Sequence, residues 1–202
     1  MILYGKEALD QLGIMEGINE IIATTERDDR INAAPLGVIQ EGKSLFIRLF
    51  SGSHTYDNIV ANKWFVANIT HDSWLFAETA LEDLTPDHFV RHEDLPILID
   101  TEAWALFKCD AFPLDIMIAN IVFINIEFIK GEILEKDFRA FNRGANLVIE
   151  ASVAATRYMA LQADSYYEEL LRLRKIIDRC GGPRERDAMD RLMARVDNYS
   201  HI

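Results

Sequence analysis

Near residue 136 the apolar pattern of the chain changes its period, and that change limits the fold more than any single motif does. Upstream, short alternating runs separated by turn residues read as strands. In SLFIRLF, Ser44 to Phe50, one face carries Leu45, Ile47 and Leu49 and the other Phe46, Arg48 and Phe50. GINEIIATT (17–25), APLGVIQ (34–40), WFVANIT (64–70), AWALFKCDA (103–111) and VFINIEFIK (122–130) read as further strands, with turns at ERDDR and Gly42. TYDNIVANK and HDSWLFAETALEDL read as short helices, the second with Asp72 or Ser73 as its N-cap.

Downstream, NRGANLVIEASVAATRYMALQ has the alanine and leucine content of a long, closely packed helix. SYYEELLRLRKIIDRC puts Tyr166, Leu170, Leu173 and Ile177 on one stripe, and Gly181-Gly182-Pro183 ends it. RERDAMDRLMARVDNY repeats the pattern with Met189, Leu192, Met193 and Val196. Strands followed by a block of helices define an α+β chain with a mainly β core, or a barrel with helical additions, and not a doubly wound α/β sheet. The expected division is a core over 1–135 and a helical extension over 136–202.

Composition narrows the function classes. The chain has 202 residues, half of them hydrophobic, enough for one mid-sized core. Lys and Arg number 21 against 33 Asp and Glu, a net charge of -12. Such a surface repels phosphate backbones, so no nucleic-acid partner is expected, although a small basic pocket for one small anion remains allowed. Cys109 and Cys180 stand far apart, giving neither a disulfide framework nor a zinc site. The N-terminus is too acidic and its apolar run too short for a signal peptide. The most apolar segment, Ile116 to Ile129, contains Asn120, Asn125 and Glu127 and falls short of the roughly 20 residues that span a bilayer. A soluble, cytoplasmic protein with no membrane partner is expected.

Arg48 is the most informative residue. Both faces of its strand are largely apolar, so the strand reads as buried and the guanidinium as needing an anion. An unpaired buried charge costs several kcal/mol, on the order of 3–5. A protein carboxylate is one candidate partner. The other is a bound anion, because Ser51-Gly52-Ser53-His54-Thr55 follows at once. Hydroxyls and free N–H groups at a helix entrance cradle anions, and a phosphate monoester has the acceptor oxygens to satisfy them. The same residues also make an ordinary capped helix start.

Asn32-Ala33-Ala34-Pro35-Leu36-Gly37 is a second candidate. Its small residues let backbone approach a planar ring, or simply pack a strand entry. Arg143, Glu150 and Arg157 recur every seven residues with Leu147, Ala154 and Leu161, as a ligand wall or as a half-exposed face with snorkelling charges. His88 and His92, at i,i+4 in DHFVRHEDLP, read as a surface turn, and no metal is expected. GxSxG, P-loop and GxGxxG motifs are missing, and no nucleophile–base pair stands out.

Taken in order, ATTERDDRINAAPLGV, LFIRLFSGSHTYDNIVANKWFVANIT and FNRGANLVIEASVAATRY resemble the DUF447 family, whose members resemble FMN-binding split β-barrels of the flavin reductase and pyridoxamine-phosphate oxidase type. The resemblance covers roughly residues 17–160, and the last forty look like the helical extension such proteins carry. It implies a six-stranded split barrel with a C-terminal helical extension packed on the barrel and on a dimer partner, a homodimer, and FMN near the subunit interface. By the same analogy Arg48, Ser51, Ser53 and Thr55 would hold the FMN phosphate. Asn32, Ala33 and Ala34 would run along the isoalloxazine edge, Asn68 would reach the ring, and Asn142 and Arg143 would close the site, from the same subunit or the other.

Two positions depart from the family pattern. Asp28-Asp29-Arg30 stands where Asp-Gly is expected, which makes a positive-φ turn less comfortable at Arg30, and Ser73 follows Asp72 where Pro is frequent. The expected function is an FMN-dependent oxidoreductase with a small-molecule electron donor or acceptor, a nicotinamide or a deazaflavin. The rivals are a flavin carrier or sensor without turnover and an interaction protein that has lost its ligand. No residue is assigned as catalytic acid or base.

Overall fold

The structure, a computed structural model, describes residues 2–5, 7–81, 83–110, 114–118, 121–135 and 140–199. Ala111 at the end of one expected strand, Ala119–Asn120 in the apolar segment, His201 and the side chain of Ser73 lie outside the described set. The chain divides into two compact units. The first comprises Met1–Met15 and Asn19–Phe141, the second Glu16–Ile18 and Asn142–Ile202.

The first unit runs β1 (Ile2–Leu3), α1 (Glu7–Gln11), β2 (Gly17–Arg27), β3 (Arg30–Glu41), β4 (Ser44–Phe50), α2 (His54–Asn62), β5 (Trp64–Ile69), α3 (Ser73–Leu81), a single-turn helix Pro86–His88, β6 (Phe89–His92), β7 (Leu95–Leu98), β8 (Ala103–Cys109), β9 (Leu114–Ile118) and β10 (Ile121–Ile133). The strand order β10-β4-β3-β2-β5-β8 closes because β8 pairs back onto β10. β10 makes the closure with its length. Ile121–Asn125 pair with β4, and Ile126–Ile133 pair with β8 across a bulge between Phe128 and Lys130. One strand serving two partners in succession removes the exposed edges that an open sheet would keep.

Alternation decides which side chains fill the barrel. Ile21, Ala23, Val38, Ile47, Phe65 and Phe107 point inward, and Phe65 stacks on Phe107 with centroids 5.2 Å apart. α1 and the turn after it contribute Leu9, Leu12 and Ile14 to the same core. The sequence reading missed β1, α1 and the β6–β7 hairpin. The expected surface turn at DHFVRHEDLP is that hairpin, paired from Phe89↔Leu98 to His92↔Leu95 and turned at Glu93 and Asp94 with φ of 48° and 66°. Its strands are four residues each, too short to show a period, and Pro96 argued against pairing.

Two local expectations change. The tight turn between β2 and β3 puts its positive φ on Asp28 (50°) and Asp29 (60°), and Arg30 begins β3 without strain. Aspartate tolerates the left-handed region better than most residues, so the pair takes the Asp-Gly role. β4 is not buried on both faces. Ile47 and Leu49 face the core, but Arg48 and Phe50 are exposed, and Phe46 is half-buried against Phe123 of β10. The apolar residues on its outer face made the strand look interior.

The second unit holds α4 (Arg143–Leu161), α5 (Asp164–Cys180) and α6 (Pro183–Tyr199). Its core joins Ala151, Ala154 and Tyr158 of α4 to Leu170, Leu173 and Ile177 of α5 and Met189, Met193 and Val196 of α6. Small residues set the approach. A Cβ on Gly144 would stand 2.5 Å from the Gly181 Cα, closer than two carbons can come. Arg143, Glu150, Arg157 and Leu161 are exposed, and the Arg157 guanidinium lies 5.9 Å from the centre of the Tyr166 ring. The charged members of that stripe are therefore exposed, while Leu147 and Ala154 pack into the helical core. No helix among the described residues is long and apolar enough to cross a membrane.

Candidate functional site

β2 and β3 lead into the hairpin turned by Asp28 and Asp29, and α2 lies beside them. The side chains that meet there form a polar cluster. Asn32 Nδ2 donates to Thr55 Oγ1 at 3.0 Å and stands 3.5 Å from Thr25 Oγ1, and Asn58 Nδ2 donates to Thr25 Oγ1 at 3.0 Å. Thr55 and Asn58 are three apart on α2 and share a face, which is why both reach back to β2 and β3. The sequence reading missed Thr25 and Asn58; their i,i+3 relation to Thr55 was the available signal for Asn58.

α2 begins at Ser53, whose Oγ accepts the Tyr56 N–H at 3.1 Å and whose own N–H donates to the Phe50 carbonyl at 3.2 Å. The loop residue Ser51 and the start of α2 at His54 are exposed, and Gly52 takes φ of 83° to make the bend. Three residues upstream of Ser51, Arg48 is exposed and meets no carboxylate among the described residues. Thr55 is different. It is buried and spent on Asn32, so the three expected hydroxyls do not form one open cradle.

A cleft of about 460 Å³ opens beside the cluster. Asn32, Asn58, His54, Leu84 and Phe89 contribute to its wall. Its charged lining is Asp28, Asp29, Asp57 and Asp83 against Arg27 and Arg30, an acidic balance that suits a neutral or ring-shaped group better than a phosphate. Among the expected ligand residues Asn32 lines this cleft, whereas Arg48, Ser51, Ser53 and Thr55 do not. Arg48, Ser51 and Ser53 thus lie outside this lining, whereas His54 and Asp57 of the first turn of α2 belong to it.

The remaining expected residues fall elsewhere. Ala33 packs among Ile22, Leu75 and Leu98, so α3 covers that face of β3, while Ala34, half-buried, shares the opposite face with Asn32. Asn68 does not reach out for a ring. It is wholly buried, donating to the Ile22 carbonyl at 2.9 Å and to Thr24 Oγ1 at 3.2 Å and accepting the Leu98 N–H at 2.9 Å. Its place mid-strand among apolar neighbours allowed either role; the hairpin partner that settles it was not visible in sequence. Asn142 caps α4 by accepting the Ala145 N–H at 3.0 Å, and Arg143 is the first, exposed residue of that helix, both in the second unit.

Acid–base and nucleophilic chemistry find few candidates. His71 and Glu102 form a close pair, Nδ1 to Oε2 at 2.6 Å, outside the lining of the cleft. Burial, with nearby Asp110 adding to it, pushes the Cys109 thiol up to about 12, so it is no nucleophile at neutral pH. No group of three or more metal-ligating side chains occurs among the described residues.

The closed strand order, a helix capping the strands and a helical extension define a split β-barrel of the flavin reductase type. A flavin reductase domain protein from Arthrobacter sp. FB24 shares this fold at TM-score 0.50 and 14% identity, over 67% of this chain and 89% of that one. The chain belongs to the family described as protein of unknown function DUF447, matching its N-terminal domain over residues 19–135 and its second domain over 142–194. Protein MM1853 of Methanosarcina mazei, a DUF447 protein whose crystal structure is FMN-bound, is similar at 32% identity and TM-score 0.58, over 93% of this chain and 99% of its own. Protein MJ1453 of Methanocaldococcus jannaschii is 28% identical over 194 residues, 88% of this chain and 97% of its own.

Proposed function

We propose that the chain binds FMN and works as a flavin-dependent oxidoreductase. The observation that carries this reading is Arg48, an exposed cation without a carboxylate partner among the described residues, three residues before a loop that opens a helix, in a chain 32% identical to an FMN-bound protein. Arg48, Ser51 and the N-terminal end of α2 fit the terminal phosphate. They supply a permanent charge, a hydroxyl and backbone N–H groups, and Arg48 and Ser51 stand outside the acidic cleft lining. Thr55 and Asn32 hold each other and thereby fix the start of α2 against β3. The exposed face of Asn32 and the Ala34 backbone fit the polar edge of the ring. Bound FMN would supply the electron transfer; the protein's part is to orient it and admit a donor or acceptor to one face.

A homodimer belongs to the same reading. Phe50 is 66% exposed and Phe46 and Phe123 are half-buried on the outer face of β4 and β10, which is a costly arrangement for a monomer. The visible spectrum of the purified protein, with fluorescence titration of FMN and riboflavin, is the test. FMN binding tighter than riboflavin by at least tenfold is expected, and equal affinities would remove the phosphate seat. Anaerobic mixing of the FMN-loaded protein with NADH, NADPH or reduced deazaflavin then tests turnover. Bleaching by one of them is expected; none bleaching would leave a flavin carrier.

A further inference from the structure

The β6–β7 hairpin supplies Phe89 to the wall of the candidate cleft and Arg91 and Asp94 to a neighbouring depression that shares Arg27, Asp28 and Asp29 with it. Three consecutive residues fasten the hairpin to the barrel, each in a different way. Arg91 Nη1 donates to Glu26 Oε2 of β2 at 2.7 Å, and its Nη2 reaches the other oxygen of the same carboxylate. Glu93 pairs with Lys130 of β10. Between them, the His92 ring lies 5.2 Å from the indole of the fully buried Trp104, with Nε2 3.4 Å from Glu132 Oε2.

The outer two fastenings keep their charge at every physiological pH. The Glu26 hydrogen bond holds the Arg91 proton more firmly than usual, and the Lys130 hydrogen bond keeps Glu93 ionised below the ordinary carboxylate range. His92 is the odd one. Its Nε2 is buried without a hydrogen bond that meets normal geometry, although a carboxylate stands 3.4 Å away. A neutral imidazole can offer the Glu132 carboxylate at most one uncharged N–H. An imidazolium would gain the Glu132 carboxylate as an ion-pair partner and the face of Trp104 as a cation–π partner. We infer that His92 is a proton-operated latch, which fastens the β6–β7 hairpin to Glu132 and Trp104 when protonated and loosens that wall of the cleft when neutral.

The charged groups around the ring are three carboxylates and two cations. Glu132 and Lys130 face it from β10, with Glu93, Asp94 and Arg91 on its own hairpin; β8 presents the uncharged Trp104 there, and β1 the apolar Ile2 opposite Glu132. Protonation of the ring therefore tightens the hairpin.

The latch is a property of the hairpin alone; its effect on FMN rests on the proposed flavin site. Hydrogen exchange of the full chain, read by mass spectrometry over residues 88–99 at pH 5.5 and 8 and corrected for intrinsic rates, tests the first without any flavin. Protection about fivefold higher at pH 5.5 is expected, with the β3–β4 hairpin unchanged as internal control. His92→Gln and, independently, Glu132→Gln should each abolish the difference. No pH difference in the wild-type protein, or one that survives His92→Gln, overturns the latch. Titration with FMN at both pH values then separates the two readings. Tighter binding at pH 5.5, lost in His92→Gln, extends the latch to the site; failure to bind FMN at either pH removes the flavin site and leaves the exchange result to stand.

Discussion

Thr24 and Thr25 are adjacent on β2 and face opposite ways, and the two polar clusters they join have opposite fates. On one side Thr24 donates to the Pro96 carbonyl at 2.6 Å and accepts from Asn68, which in turn holds the Leu98 N–H. Every group there is dry and answered, and the result is a rivet between the barrel and the β6–β7 hairpin. On the other side Thr25 receives Asn58 and Asn32, whose outer faces line a cleft. Both clusters are built from Asn and Thr. What separates them is coverage: a hairpin over the first, solvent and α2 around the second. Residue type alone therefore could not say which asparagine serves a ligand.

The comparison breaks most easily at the dry side. Asn68→Leu leaves the buried Leu98 N–H and the Ile22 carbonyl without partners, and urea unfolding should show a loss of about 3 kcal/mol. A loss under about 1 kcal/mol would mean that the rivet is wetter than it looks.

The open side should behave in reverse. Arg48→Ala should weaken FMN binding by about 10- to 100-fold, the worth of a charge-assisted hydrogen bond, while apo-protein stability moves by less than about 0.5 kcal/mol, as for an exposed residue. A large stability loss at unchanged affinity would make Arg48 a structural cation and shift the phosphate seat.

The barrel interior is dry too, and Cys109 reports it. In the unfolded chain the thiol ionises near its ordinary value of 9.0, in the folded chain only near about 12. The unfolded state thus loses its proton first, and stability falls by about 1.4 kcal/mol per pH unit between those values. Cys109→Ala should lose this component of the alkaline slope, read by urea melts from pH 8 to 11.

The smallest effect sharpens the role of the α2 entrance. Ser53→Ala removes a cap and should cost about 1 kcal/mol. Ser53→Asp should restore the cap yet weaken FMN binding, because a second negative charge faces the phosphate. Equal FMN affinity in Ser53→Asp and wild type would place the phosphate elsewhere.

Much of the barrel was legible because β4 and β10 alternate and β5 and β8 are apolar runs of six or seven residues bounded by turn signals. The helical unit was legible because its Leu, Ile and Met stripes recur at helical spacing, and all their fully buried members proved to be core. What escaped has a common cause. β1, β6 and β7 are two to four residues long, and α1 has five, too few to show a period. Of the candidate site, Ser53 as a helix cap was legible in local chemistry, whereas the burial of Asn68 and of Thr55 depends on segments distant in sequence. The exposure of Arg48 contradicted a pattern argument that treated Phe46 and Phe50 as interior.

Glu16–Ile18 belong to the helical unit although the whole barrel sequence separates them from α4. Gly17 fits so closely that a Cβ there would meet the Cys180 carbonyl at 2.7 Å, and a Cβ on Gly182 would stand 3.1 Å from the Glu16 carbonyl. In chain order this piece comes before most of the barrel strands and its partners come after them. A gene fragment starting at Asn142 would therefore encode three helices with a missing wall. Chains truncated before Cys180 should be open to proteases at Gly17, and chains that extend through Tyr199 should be protected there.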